Sequence, residues 1–148
     1  ETLIDNFIAT MNHGAENAVA KAGPIFLNAI TSMTITDAVN ILKGADNAAT
    51  EYFKLKTTAS LTALFKPEIT KALDAVNCTK YWTDITTTYN KIPLVTPIET
   101  DLSKYVTEKA LSALFSQIAV EEKKIRTDPA ARINDILKKV FDPNAIIQ

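Results

Sequence analysis

The sequence has little of the residue types that build common catalytic and metal sites. Cys78 is the only cysteine and His13 the only histidine among 148 residues. One thiol cannot form an internal disulfide or a cysteine-based zinc site, and one histidine excludes a two-histidine metal site. A Cys78–His13 catalytic pair is formally available, but no motif around either residue favours it. We therefore predict no catalytic residues, no metal site and no cofactor.

Net charge and long apolar runs are scarce as well. The formal net charge is −1, and lysines and acidic residues alternate along the chain, so no basic stripe exists to bind nucleic acid. No run of about 18 apolar residues occurs, which argues against a transmembrane segment in this chain. An apolar fraction of 47% with 22% charged residues is instead typical of a globular domain.

Only three glycines and six prolines interrupt the sequence, which favours long helices over strands and turns. Apolar residues recur at spacings of three and four, as on one face of a helix. We predict an all-α fold, an irregular bundle of about six to eight helices around one long helix in the C-terminal half, from Asp101 to Arg126. We expect residues 1–148 to form a single helical domain with a tail at 142–148. The predicted helix caps and breakers are Gly23-Pro24, Thr34 or Thr36, Gly44, Asp46, Asp101 and Asp128-Pro129.

Three segments need further interpretation. Pro67 interrupts an otherwise regular apolar stripe and predicts a kink or a helix restart. The stretch 92–100 holds two prolines and several apolar residues, so we expect an extended connector that lies against the bundle. A last helix is predicted after Asp128-Pro129, with an apolar face made of Ile133, Ile136, Leu137 and Val140.

The long helix places polar side chains within its apolar side. At about 100° per residue, Glu121 falls between Ile118 and Ile125, one turn beyond Gln117. Desolvating an unpaired carboxylate costs several kcal/mol, so Glu121 must be paired, hydrogen-bonded or protonated. One interpretation is an ion pair with Arg132 that locks the last two helices together. The other is a polar anchor inside a ligand pocket.

The candidate binding residues follow from this helix. Glu122 and Arg126, at i and i+4, are most simply interpreted as a surface ion pair of small energetic value. The candidates for ligand binding are Glu121, Arg132, Arg126, Gln117 and Tyr105.

Several motifs together resemble a known bacterial family. They are Asp101-Leu-x-x-Tyr-Val-Thr-x-Lys-Ala-Leu, Glu121-Glu-Lys-Lys-Ile-Arg, Pro129-Ala-Ala-Arg132, Asp37-Ala-x-x-Ile-Leu-x-Gly44 and Tyr89-Asn-x-Ile-Pro93. This pattern resembles the uncharacterised family called domain of unknown function 4197. The resemblance covers nearly the whole chain.

The resemblance implies a cellular location. Members of this family resemble exported envelope proteins with a signal peptide and often a lipoprotein cysteine. We therefore expect a protein of the periplasm or the membrane-anchored cell envelope, of which this chain is the C-terminal part. Helices covered by a missing upstream segment would expose apolar surface, so we expect self-association.

The function favoured at this point is a non-enzymatic binding or interaction module of the bacterial cell envelope. Its expected partner is an unknown envelope protein or a small apolar ligand. One alternative is an enzyme of unknown class that uses a desolvated Glu121 with Arg132, Arg126 or Tyr105 nearby; it requires Glu121 to face a solvent-connected pocket. A purely structural scaffold is the other alternative, and it requires no pocket and a large obligate interface.

Overall fold

A computed structural model describes residues 3–132, 134, 135 and 138. Within these residues the chain forms six α-helices and one 3₁₀ turn, with no β-strand. The helices are α1 (Leu3–Ala20), α2 (Gly23–Thr31), α3 (Ile35–Lys43), α4 (Ala48–Asp74), α5 (Cys78–Tyr89) and α6 (Leu102–Thr127), and the 3₁₀ turn is Pro129–Ala131. The predicted all-α bundle is therefore confirmed.

Local capping sets several helix boundaries as predicted. Pro24 stands in the first turn of α2, where a backbone N–H would have no helical partner. Thr34 caps α3: its hydroxyl accepts a hydrogen bond from the Asp37 amide, and the Asp37 carboxylate accepts one from the Thr34 amide. Asp101 caps α6 by accepting a hydrogen bond from the Lys104 amide at 3.0 Å. These short-range interactions depend only on neighbouring residues.

Helix α4 lies at the centre of the bundle and packs against α1, α2, α3, α5 and α6. Its fully buried residues Leu61, Phe65, Ile69 and Leu73 repeat every four positions along one side. Burial of each such side chain contributes roughly 1.5–3 kcal/mol. The long helix predicted in the C-terminal half is present as α6, and α4 is a second long helix that contacts all the others.

Pro67 lies inside α4, and the helix continues through it from Ala48 to Asp74. Of the two predicted effects of this proline, the helix restart is therefore wrong, and the kink stays a prediction. A proline in a helix interior removes one backbone donor and costs about 3 kcal/mol. Phe65 and Ile69, on either side of the proline, are fully buried, and their burial offsets a cost of this size.

Helix α6 runs antiparallel to α4. Glu122 hydrogen-bonds Thr50 at one end of the helix pair, and Asp101 pairs with Lys66 at the other. The remaining core comes from α1, α2 and α6. The buried apolar residues on these helices are Ala18, Ala29, Leu102, Val106, Leu111 and Phe115.

Hydrogen bonds between Asn90 and Ile98 hold the connector 92–100 in place, but two of its apolar side chains are exposed to water. The Asn90 carboxamide exchanges two hydrogen bonds of 2.8 Å with the main chain of Ile98. Ile92 is 52% exposed, and Leu94 is fully exposed with a φ of 68°. The prediction that the apolar residues of this connector lie against the bundle is therefore wrong for Ile92 and Leu94.

The chain after α6 begins as predicted and then leaves the described part of the protein. The Asp128 carboxylate accepts a hydrogen bond from the Ala130 amide at 2.9 Å and so caps the 3₁₀ turn. The tail 142–148 lies outside the described residues, as does the apolar face predicted for a last helix, Ile133, Ile136, Leu137 and Val140.

None of the helices in the described ranges is both long and apolar enough to cross a membrane by itself. Of the helices in this part of the chain, only α2 and α3 counted together reach the required length and composition, and these two helices meet at a bend of 104°.

Candidate functional site

A buried ion pair lies near the C-terminal end of α6. The side chains of Glu122 and Arg126 are 8% and 10% exposed. Arg126 donates from Nη2 to Glu122 Oε1 at 2.7 Å and from Nε to the same oxygen at 3.0 Å. The prediction that Glu122 and Arg126 form a surface pair is therefore wrong. Both charges are removed from water, so each depends on the other for its stabilisation.

Glu122 also caps the first turn of α4 from a distant part of the chain. Its carboxylate accepts hydrogen bonds from the Ala49 amide at 2.8 Å, the Thr50 amide at 2.8 Å and the Thr50 hydroxyl at 2.7 Å. A negative charge here is further stabilised by the dipole of α4. The predicted cap Asp46 is wrong, because the residue before the helix is Asn47 and its side chain makes no capping bond.

Arg126 extends this contact to the end of α3. Its Nη2 donates to the Ile41 carbonyl at 2.7 Å, and its Nη1 donates to the Leu42 carbonyl at 3.4 Å. The last carbonyls of a helix have no helical partner and carry partial negative charge, so a guanidinium group is favoured there. Glu122 and Arg126 together therefore join the end of α3, the start of α4 and the body of α6.

Hydrogen bonding keeps Glu122 ionised. Burial by itself would raise the pKa of this carboxyl group. The hydrogen bonds from the Thr50 hydroxyl, the Ala49 amide and Arg126 outweigh that effect, so the pKa lies below its ordinary value. Glu122 is therefore a structural carboxylate and has no proton to donate near neutral pH.

Glu121 and Gln117, predicted to lie within the apolar side of α6, are exposed. The Glu121 side chain is 54% exposed and accepts hydrogen bonds from Lys124 at 2.9 Å and from Gln117 at 3.2 Å. The Lys124 ammonium group lowers the pKa of Glu121. The predicted burial of Glu121 and its pairing with Arg132 are therefore wrong, and so is the premise that Glu121 is a desolvated acid.

The difference between the predicted and the observed buried side of α6 arises from polar residues that this helix buries. Ser103 and Thr107 are buried, and the Thr107 hydroxyl donates to the Ser103 carbonyl at 2.6 Å. A hydroxyl group satisfied within its own helix needs no water and can face the core. The buried side of α6 therefore runs along Thr107, Leu111 and Phe115 and continues to Glu122.

Arg132 is buried beside the end of α6. It is 9% exposed and donates to the carbonyls of Ile125 at 2.9 Å and Arg126 at 3.0 Å. These contacts satisfy carbonyl groups in the last turns of α6. Arg126 and Arg132 are thus close together, but both lie against helix ends and not in an open pocket.

Tyr105 lies at the opposite end of α6, about 24 Å from Glu121 along the helix axis. It is half-buried, and its ring centroid is 5.5 Å from that of Trp82. The five candidate binding residues therefore do not form one site. Their role as ligand-binding residues stays a prediction.

An open groove runs between α4 and α6. It encloses about 570 Å³ and extends from Thr50 to Lys66 along α4, about 24 Å at the rise of a helix. Leu111 and Phe115 of α6 form an apolar floor. Hydroxyl groups line the edges, from Thr50, Thr58, Thr62, Ser112 and Ser116.

The lysines that line this groove differ in whether an acidic residue neutralises their charge. Lys66 pairs with Asp101 at 2.8 Å, and Lys104 pairs with Glu99. The Lys54 ammonium group forms no hydrogen bond or ion pair with another described residue. The described part of the chain brings no three His, Cys, Asp or Glu side chains together in a way that could hold a metal ion. The groove therefore offers apolar surface, hydroxyl groups, the Lys54 ammonium group and the carboxylates of Glu51 and Glu108.

Sequence reasoning missed this groove, although part of its signal is present. Positions 50, 54, 58, 62 and 66 are all threonine or lysine at a spacing of four residues. Such a stripe is normally interpreted as the solvated face of a helix. Its partner, the apolar floor on α6, becomes apparent only when the two helices are packed together.

These features define an all-α domain with a ligand-sized groove between two long antiparallel helices. The chain belongs to the family DUF4197, described as a protein of unknown function, whose family model matches residues 1–142. The resemblance drawn from the sequence motifs is confirmed. No curated protein and no solved structure matches the chain significantly.

The buried ion pair gives a first prediction. Replacing Glu122 by Gln should lower the free energy of unfolding by about 3 kcal/mol, because Arg126 would remain buried without its counter-charge. The matched control is Glu121→Gln, one residue away on the exposed side, which should leave the urea midpoint unchanged. Urea unfolding followed by circular dichroism at pH 7 measures both. Equal effects of the two substitutions would contradict the assignment of Glu122 as the buried carboxylate.

The same residue predicts a pH dependence. Because the pKa of Glu122 is lower in the folded protein than in the unfolded chain, its stabilisation is present above the ordinary value of about 4.3. That stabilisation is lost as the pH falls through the folded pKa. The difference in unfolding free energy between wild type and Glu122→Gln should therefore shrink between pH 6 and 3. A difference that stays constant over this range would show that the charge of Glu122 does not matter.

Proposed function

We propose that this chain is a non-catalytic binding module and that the α4–α6 groove is its ligand site. The observation that carries the proposal is the groove itself, with its apolar floor at Leu111 and Phe115 and its hydroxyl-lined edges. Ligand sites are typically concave, mostly apolar and about 300–1,000 Å³ in volume, with a few polar groups that orient the ligand. The groove has this size and composition.

The shape of the groove favours an elongated ligand. A cleft about 24 Å long between two helices suits a chain-like apolar molecule more than a compact one. Thr58, Thr62 and Ser112 lie along its edges and can donate or accept hydrogen bonds. The Lys54 ammonium group can donate hydrogen bonds to the ligand, and the carboxylates of Glu51 and Glu108, which line the same groove, can accept hydrogen bonds from it.

The alternatives fit these observations less well. A purely structural scaffold would need no opening of this kind. An enzyme that uses a desolvated Glu121 is not supported, because that carboxylate is exposed and paired with Lys124.

A helix of an envelope protein is the other candidate occupant of the α4–α6 groove. It would present apolar residues at spacings of three and four to the same floor.

We also infer that the module works in the bacterial cell envelope, in the periplasm or anchored to a membrane. The support is the resemblance of the sequence motifs to exported proteins. Fractionation of the source cells, with an antibody against this chain, tests the location. Release with the periplasm or recovery with the membrane is the expected result, whereas recovery in the cytoplasmic fraction would contradict it.

The ligand site can be tested by filling the groove. Ser112 is exposed on the groove edge, so Ser112→Trp should occupy the groove without disturbing the core. Binding of 1-anilinonaphthalene-8-sulfonate, an apolar anionic probe, should weaken at least about tenfold, or about 1.4 kcal/mol. Lys54→Ala should weaken the same probe to a smaller degree. Thr87→Trp, on exposed α5 away from the groove, is the matched control and should bind as wild type does.

Native mass spectrometry of the protein isolated from its own envelope completes this experiment. A retained small molecule that is absent from Ser112→Trp would identify the ligand class. A retained polypeptide lost in the same variant would instead identify a protein partner in the groove. The proposal fails if wild type binds no probe and retains nothing, or if Ser112→Trp binds as wild type does.

A further inference from the structure

We propose that two copies of this chain associate through a second groove, between α1 and α6, to form a symmetric dimer. This surface lies on the opposite flank of α6 from the α4–α6 groove. The inference therefore does not rest on the proposed ligand site, which stays open when the dimer forms.

The second groove exists because α1 and α6 both pack on α4 and only slightly on each other. It encloses about 650 Å³. Its floor is Phe65 of α4, and its walls carry Ala15 on α1 and Ala110 and Ala113 on α6. Helices approach each other to about 8–10 Å depending on the side chains between them. These short side chains therefore leave room for a helix of another molecule.

Apolar side chains extend this surface on both helices. Met11 of α1 and Leu114 of α6 line the groove and are half-buried. Val19 of α1 is 45% exposed and lines the groove as well, and Val120 of α6 is 48% exposed further along that helix. A helix pair from a second molecule would remove these groups from water, which is the main favourable contribution to association.

Charge complementarity favours a second copy as the occupant. Glu16 stands on the α1 side of the groove and Lys109 on the α6 side. Lys109 lies 5.5 Å from the ring centroid of Tyr105 and has no acidic partner among the described residues. Among the described residues, Glu16 forms an ion-pair contact only with His13, at 4.0 Å, and both side chains are exposed.

A two-fold axis would satisfy both of these charges at once. In a symmetric dimer the same surface meets itself, so each residue i that contacts residue j is matched by j contacting i. Glu16 of each copy would then face Lys109 of the other, giving two equivalent ion pairs around an apolar centre. A groove with an acid on one side and a base on the other is complementary to itself in this way.

Charge reversal tests the arrangement directly. Sedimentation equilibrium of the 148-residue chain at low ionic strength should show a dimer. Glu16→Lys and Lys109→Glu should each weaken it about tenfold, since each places like charges together at two positions. The double variant Glu16→Lys/Lys109→Glu restores opposite charges and should dimerise within about threefold of wild type. The matched controls are Asp84→Lys and Lys80→Glu, exposed on α5, which should change nothing.

A steric variant adds an independent measurement. Ala113 is exposed on the groove wall, so Ala113→Arg should leave the thermal unfolding of the monomer unchanged and abolish the dimer. A monomer at all concentrations in wild type would overturn the proposal. A dimer that tolerates Ala113→Arg, or single charge reversals that the double variant does not rescue, would also overturn it.

Discussion

The contact between Glu122 and Arg126 is the interaction on which the arrangement of the helices depends. One carboxylate caps the start of α4, and the guanidinium group bound to it satisfies the end of α3. The central helix of the bundle therefore has its N-terminus fixed by a residue of α6. Because both charges are buried, neither can be lost alone without leaving the other desolvated. The pair thus holds the end of α3 and the start of α4 against α6 and also fixes the register between α4 and α6.

The register between α4 and α6 determines the surface that lies between these two helices. With Glu122 held against Thr50, the two long helices run side by side as far as the contact between Lys66 and Asp101. The short side chains of Thr58, Thr62, Ser112 and Ser116 line the edges between these two ends, so the helices do not close over the apolar floor formed by Leu111 and Phe115. α1 packs on another side of α4 and leaves a second groove against α6. The second groove therefore follows from a central helix that α1 and α6 each contact more than they contact each other.

The sequence predicts those parts of this structure that depend on neighbouring residues. Asp101 is predicted as the cap of α6, and Thr34 is one of two caps predicted for α3, because a hydroxyl or carboxylate at that position bonds an amide three residues later. The identity of the buried acid is not predicted correctly, although the expectation that α6 buries one carboxylate is correct. Hydrophobic spacing favours Glu121, because it takes no account of buried hydroxyl residues such as Thr107, and the cap on α4 joins residues 72 apart. Neither fact is visible before α4 and α6 are packed together.

The large apolar side chains are divided unevenly between the core and the surface of this bundle. Among the described residues, more large apolar side chains are exposed than are buried. Single exposed apolar residues are normal, but several of these lie together, as do Tyr81, Ile85 and Tyr89 along α5. The core of this bundle lies mainly along one side of α4, and burial there provides most of its stability. The outer faces of α1, α5 and α6 therefore contribute little to the stability of the fold. Those faces can then carry apolar groups for a partner, because the ion pair and the α4 core already determine the fold.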